Sequence, residues 1–159
     1  MSEIWYLLRC PEGSEMDYAK RCQQFLVLEG LNEVICFQYQ RMIRYGGNWH
    51  LENRMLLPGY IFLVGMQSLT LNHVSLTPCE IPYLKELCHE GNLIELSRGI
   101  ILNGRPIITS GPLKKREAII HRIDRHKRTA SIEIPFGGEK KQVTVGLEIY
   151  DKFQTAEGG

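Results

Sequence analysis

The stretch "MLLPGYIFLVGM", Met55 to Met66, decides how the first half of this chain folds. After Leu56 and Leu57 it bends at Pro58-Gly59, then runs Tyr60, Ile61, Phe62, Leu63 and Val64 in succession. A strand with one face on a core and one in water alternates apolar and polar positions. Here Tyr60, Phe62 and Val64 point one way while Ile61 and Leu63 point the other, so both faces need a cover. Pro58 has no N–H for a ladder and Gly59 relaxes the backbone, so the strand begins with a bend that presents Tyr60.

Outward from there, "IWYLLR" reads as a strand closed by Pro11-Glu12-Gly13. Ser14 reads as a helix N-cap, with Asp17 completing an approximate capping box. Met16, Ala19, Cys22, Phe25 and Leu26 recur at helical spacing, and Glu15, Asp17, Lys20, Arg21, Gln23 and Gln24 are expected to face outward. "VICFQYQRMIRY" reads as a strand ending at Gly46-Gly47. Its hairpin partner is expected to be the opening stretch, reached across the polar segment "NWHLENR". "SLTLNHVSL" fits a second short helix and "CEIPYL" a last short strand. Strands are thus expected near 3–10, 33–44, 55–65 and 80–84, with helices near 14–28 and 68–76. This β-α-β-β-α-β order is an α+β, ferredoxin-like split βαβ arrangement, with both helices on one face and the other face bare.

The back half has a different rhythm. Strand-like runs at 105–110, 117–124, 129–135 and 141–149 are separated by turn signals at Gly111-Pro112, Asp124 to Arg128 and Gly137-Gly138. Short strands packed this densely predict a small SH3-like β-barrel. The chain of 159 residues, 43% hydrophobic and 23% charged, has material for one domain or two small ones. The expected division is 1–97, 98–152 and a tail at 153–159. Charge divides at the same place. Residues 1–97 hold 7 Lys and Arg against 11 Asp and Glu, whereas 98–152 hold 12 against 6, under a net charge of only +1. The basic half is the one that would attract a polyanion.

Other function classes find little support. No apolar run approaches the ~20 residues that span a bilayer. "MSEIWYLLRC" has neither a basic n-region nor a small-residue cleavage site, so no signal peptide and no membrane partner are expected. Cys10, Cys22, Cys36, Cys79 and Cys88 are odd in number and form no C-x-x-C pair, as in a cytoplasmic protein with reduced, mostly buried thiols. Cys88-His89 has only Cys79 nearby, a spacing that fits no common zinc site. The scattered histidines, with no G-x-S-x-G, P-loop, metal spacing or paired carboxylates, carry no signature of an enzyme or a cofactor.

Two separate runs carry a family resemblance. "WYLLRCPEGSE" and "LLPGYIFL" resemble the N-terminal (NGN) domain of NusG-type transcription factors, and "GRPIITSGPLKKREAIIHRIDRHKRTASIEIPFGG" resembles a KOW domain. The order and spacing also match, and the second run is most like the LoaP-type antiterminator branch of that family. The resemblance implies that the helix-free sheet face docks on the clamp helices of the largest subunit of bacterial RNA polymerase, through Trp5, Leu57, Pro58, Tyr60 and Phe62. It also implies that the KOW domain binds a hairpin in nascent leader RNA. The expectation is a monomeric transcription elongation or antitermination factor.

Three basic groups would serve the RNA. Lys114, Lys115 and Arg116 lie in the first turn of the expected barrel. Arg122, Arg125, His126, Lys127 and Arg128 lie at a strand end and the following turn, and Lys140 and Lys141 in another turn. Loop charges of this kind suit phosphate tracking. With stacking groups limited to Phe136, His121, His126 and the arginines, hairpin shape rather than a single strand is expected to be read. Lys115 and Ala118 depart from the family pattern, which has glycines there, and "LIELSRGIILNG" leaves little room for a further helix between the domains. A gate-loop contact would fall near Asn72, His73 and Ser75, where the match is too weak to carry over. The rival readings are a ribosome- or RNA-associated protein without polymerase contact, an aromatic face that is ordinary core or a homodimer surface, and a basic face that is merely solvated.

Overall fold

The computed structural model describes residues 4–24, 31–65, 77–78 and 82–156 of the chain. It is α+β and mostly strand, with three sheets. Strand β1 (Ile4–Arg9) pairs antiparallel with β5 (Tyr60–Gly65), from Ile4 opposite Gly65 to Arg9 opposite Tyr60. Strands β2 (Leu31–Ile35) and β6 (Thr77–Pro78) complete a sheet in the order β2-β5-β1-β6. The apolar run from "MLLPGYIFLVGM" is therefore a central strand, as its double-faced hydrophobicity requires.

Helix α1 (Glu15–Gln23) covers one face, closing Ala19 over Tyr6, Ile61 and Leu63, with Cys10, Cys22 and Cys36 at the margin. Its inward face differs from the expected one. Glu15 is buried and Met16 exposed, and Ser14 makes no side-chain capping bond. The Glu15 carboxylate instead accepts the N–H of Gly13 at 2.9 Å and of Gly59 at 2.8 Å, tying the helix start to the Pro58-Gly59 turn. The inward face is therefore Glu15 and Ala19, with Cys22 half-buried, an i, i+4, i+7 set.

The expected strand at 33–44 is two strands belonging to different sheets. After β2 the chain breaks at Cys36-Phe37 and resumes as β3 (Gln38–Tyr45), which pairs with β4 (Asn48–Met55) around Gly46-Gly47. "NWHLENR" is thus itself the hairpin partner, and the opening stretch is not. The expected strand near 80–84 is also replaced: Pro82–Leu87 form helix α2, with Pro82 at its first position, where the missing N–H costs nothing. Strand β7 (Leu93–Ile94) then joins β3 in parallel. The expected helix at 68–76, with Asn72, His73 and Ser75, lies outside the described residues.

The C-terminal part builds a five-stranded sheet. Its strands are β8 (Ser97–Leu102), β9 (Arg105–Ser110), β10 (Ile120–Asp124), β11 (Thr129–Phe136) and β12 (Glu139–Phe153), in the order β10-β11-β12-β8-β9. A 3-10 turn at Glu117–Ile119 replaces the start of the expected strand at 117–124. Strand β12 pairs antiparallel with β11 up to Gly146 and parallel with β8 from Leu147. No closed barrel is formed among the described residues.

The second face of β5 is covered by this C-terminal sheet. Leu7, Phe37, Phe62, Val64 and Ile94 share one continuous core with Ile132, Ile134, Val143, Val145 and Leu147. At Gly146, β12 lies so close to β3 that a Cβ would collide with the Gln40 carbonyl oxygen. Only glycine permits that backbone approach.

Candidate nucleic-acid interface and the covered aromatic face

The Pro58-Gly59 bend is a turn closed by the Tyr60 N–H on the Leu57 carbonyl at 3.1 Å. Gly59 has φ +84, the value a type II turn needs at its third residue, with proline favoured just before it. Cys10 donates its N–H to the Gly59 carbonyl at 2.9 Å, so the turn is fixed from two sides.

The five residues expected on the aromatic face fare differently. Pro58 is exposed, Trp5 and Tyr60 are half-buried, and Leu57 and Phe62 are 3% and 0% exposed. Phe62 sits edge-on to Trp5 at 6.4 Å and to Phe37 at 5.5 Å between ring centroids. Phe136, from the end of β11, then packs edge-on against Tyr60 at 5.8 Å and Phe62 at 6.3 Å. Each such pair contributes about 0.5–1.5 kcal/mol beyond area burial. Lys141 lies 5.6 Å from the centroids of Tyr60 and Phe136, and Arg9 flanks the Tyr60 ring from β1. The expected bare face is therefore occupied, because its aromatic surface meets an apolar face of the same chain.

The expected basic residues fall into three places. Lys114 and Lys115 are exposed in the turn before the 3-10 segment, and Arg116 lies over the Tyr83 ring of α2 at 5.6 Å. Lys140 and Lys141 follow Glu139 at the start of β12, and the Lys141 ammonium lies beside Tyr60. The remaining group, Arg122, Arg125, His126, Lys127 and Arg128, is at the opposite end of β11, roughly 23 Å away at strand rise. Arg122, Arg125, His126 and Lys127 are exposed there.

Arg128 is not a free cation. Its guanidinium lies 3.7 Å from the centroid of the Trp49 indole, and its Nη1 donates to Glu148 at 3.1 Å. It joins β4 to β12 and holds the turn in place. Asp124 shapes the same turn: its carboxylate accepts the Lys127 N–H at 3.0 Å, and the backbone N–H groups of Lys127 and His126 hold its pKa below the ordinary value.

Strand β3 adds groups to this strip that a charge count along the chain does not reveal. Arg41 donates from Nη2 to the Lys127 carbonyl at 3.3 Å, and Arg41 and Arg44 border a cleft with Trp49, His126 and Lys127. Both arginines belong to the acidic front half, so charge counts by segment point away from them. Among the described residues no three His, Cys, Asp or Glu side chains are placed to hold a metal ion, and no helix is long and apolar enough to cross a membrane. Burial pushes the thiols of Cys36 and Cys88 up to about 11, which keeps them protonated and unreactive at neutral pH. Compared with known proteins, the chain matches no family model and no curated protein.

Proposed function

We propose that this chain is a NusG-type transcription factor that binds nascent RNA through the basic strip at the β10–β11 turn. In this reading it also binds the clamp helices of bacterial RNA polymerase through the Tyr60 face, once the C-terminal sheet has left that face. The observation that carries the proposal is the strip itself: Arg122, Arg125, His126 and Lys127 are all exposed on one turn and its strand, with Arg41 and Arg44 beside them. Such a surface releases counterions when phosphates dock, and shape rather than base edges is read. The polymerase half rests on the resemblance of "LLPGYIFL", and Tyr60 and Trp5 are residue types favoured as interface anchors.

The test of the RNA half is a salt series on a labelled stem-loop RNA, comparing the wild type with Arg122→Ala/Arg125→Ala/Lys127→Ala. Affinity should fall and the slope of log K against log salt should flatten by about 2. Equal affinity and slope would remove RNA from the proposal. A second reading, an RNA-associated protein without polymerase contact, is favoured by one observation: Leu57 and Phe62 are buried in the core shared with the C-terminal sheet.

A further inference from the structure

A cleft of about 400 Å³ opens between β3 and the C-terminal sheet, a size within the range of small-ligand sites. Its lining includes Arg41 from the front half, whose Nη2 donates to the Lys127 carbonyl, and Arg122, Lys127 and Thr144 from the C-terminal half, with Ser131 beside them donating its hydroxyl to Gln142. Asp124 also borders it, but one oxygen of that carboxylate is engaged by the Lys127 N–H. Arg41 has a further feature: its Nε is buried, and among the described residues no acceptor reaches it. A buried donor without an acceptor is unfavourable, so the Arg41 guanidinium gains from any rearrangement that pairs it. Guanidinium and ammonium groups with a flanking hydroxyl are a donor set that phosphate oxygens take up, and Arg presents its donors as a planar fork.

We infer that this cleft is a phosphate site for the nucleic-acid backbone, built jointly by the two halves and present only while β12 lies against β3. The inference rests on the RNA reading above and extends it. The RNA surface is not the C-terminal sheet alone, and Arg41 is a contact residue. The ligand is a polymer rather than a free nucleotide because the basic surface continues past the cleft, through Arg44 and His126 beside Trp49 on one side and Arg125 on the turn. A single phosphate would leave that continuation unused.

The experiment is fluorescence anisotropy of the full chain with a labelled stem-loop RNA across a salt series. The variants are Arg41→Gln, Arg41→Lys, Arg44→Gln and Arg122→Gln/Lys127→Gln, each checked for an unchanged circular dichroism spectrum. Arg41→Gln should weaken binding about tenfold and reduce the salt slope by about 0.7–0.9, the loss of one phosphate contact. Arg41→Lys should recover part of the slope but not the affinity, since a point charge replaces the fork. Arg44→Gln, exposed and outside the core, should give a smaller loss in the same direction. Wild-type affinity and slope in both Arg41→Gln and Arg44→Gln, alongside a loss in Arg122→Gln/Lys127→Gln, would overturn the joint cleft and leave the RNA reading standing. No binding by the wild type would overturn both. A stem-loop DNA of the same sequence and a nucleoside monophosphate serve as competitors. Competition by the monophosphate at the RNA's own concentration would make this a nucleotide pocket and overturn the inference, whereas competition by the polymers alone supports it.

Discussion

At the scale of single residues, Lys115 has φ +66, in the left-handed region that side chains avoid. It occupies the third position of a turn closed by the Arg116 N–H on the Leu113 carbonyl at 2.9 Å. Glycine adopts that conformation without strain, so Lys115→Gly should raise stability by about 0.5–1 kcal/mol in urea denaturation. The strain was not legible: Lys115 is neither glycine nor asparagine, and only the backbone shows that the position demands a left-handed conformation. Glu15 was not legible. Its burial depends on the Gly59 N–H, 44 residues away, which helical periodicity cannot report. Glu15→Ala leaves two backbone N–H groups without their acceptor and should lower stability by about 2–3 kcal/mol, with Glu15→Gln intermediate. A wild-type urea midpoint in Glu15→Ala would show that the carboxylate ties nothing together.

At the scale of elements, the sequence marks strands better than it marks their partners. The runs at 4–9, 60–65, 105–110 and 129–136 are visible because apolar residues crowd between turn signals. The break between β2 and β3 is invisible, since Cys36-Phe37 holds neither glycine nor proline and the division exists only because each strand pairs elsewhere. Strand β8 does carry a signal in the sequence: Asn103-Gly104 has φ +51 and +80, the type I′ pair that joins it to β9. The basic strip divides in the same way. Arg122 to Lys127 can be read as a cluster along the chain, whereas Arg41 and Arg44 join it only through the packing of β12 on β3. Gly146 sets that packing. Gly146→Ala should cost about 1–3 kcal/mol and weaken RNA binding without removing any charge. Calorimetry beside anisotropy checks this, and an unchanged Kd in the destabilised variant would detach the cleft from the contact between the halves.

At the scale of the molecule, the second face of "YIFLV" is answered within the chain: helix α1 covers Ile61 and Leu63, and the C-terminal sheet covers Phe62 and Val64. Two consequences follow from the proposed partners. The phosphate cleft needs the halves together, while polymerase on the Tyr60 face needs them apart. The partners are therefore linked negatively, and stem-loop RNA should lower polymerase affinity by the same factor by which polymerase lowers RNA affinity, measurable from either side. The most direct measurement is co-elution of the full chain with bacterial RNA polymerase core enzyme, for the wild type, Phe136→Ala and Tyr60→Ala. Removing Phe136 strips the ring that packs on Tyr60 and Phe62. Phe136→Ala should bind more tightly than the wild type, and Tyr60→Ala should lose binding. Absence of binding by all three, with the variants folded, would contradict the polymerase reading and leave an RNA-associated protein whose aromatic face is simply core.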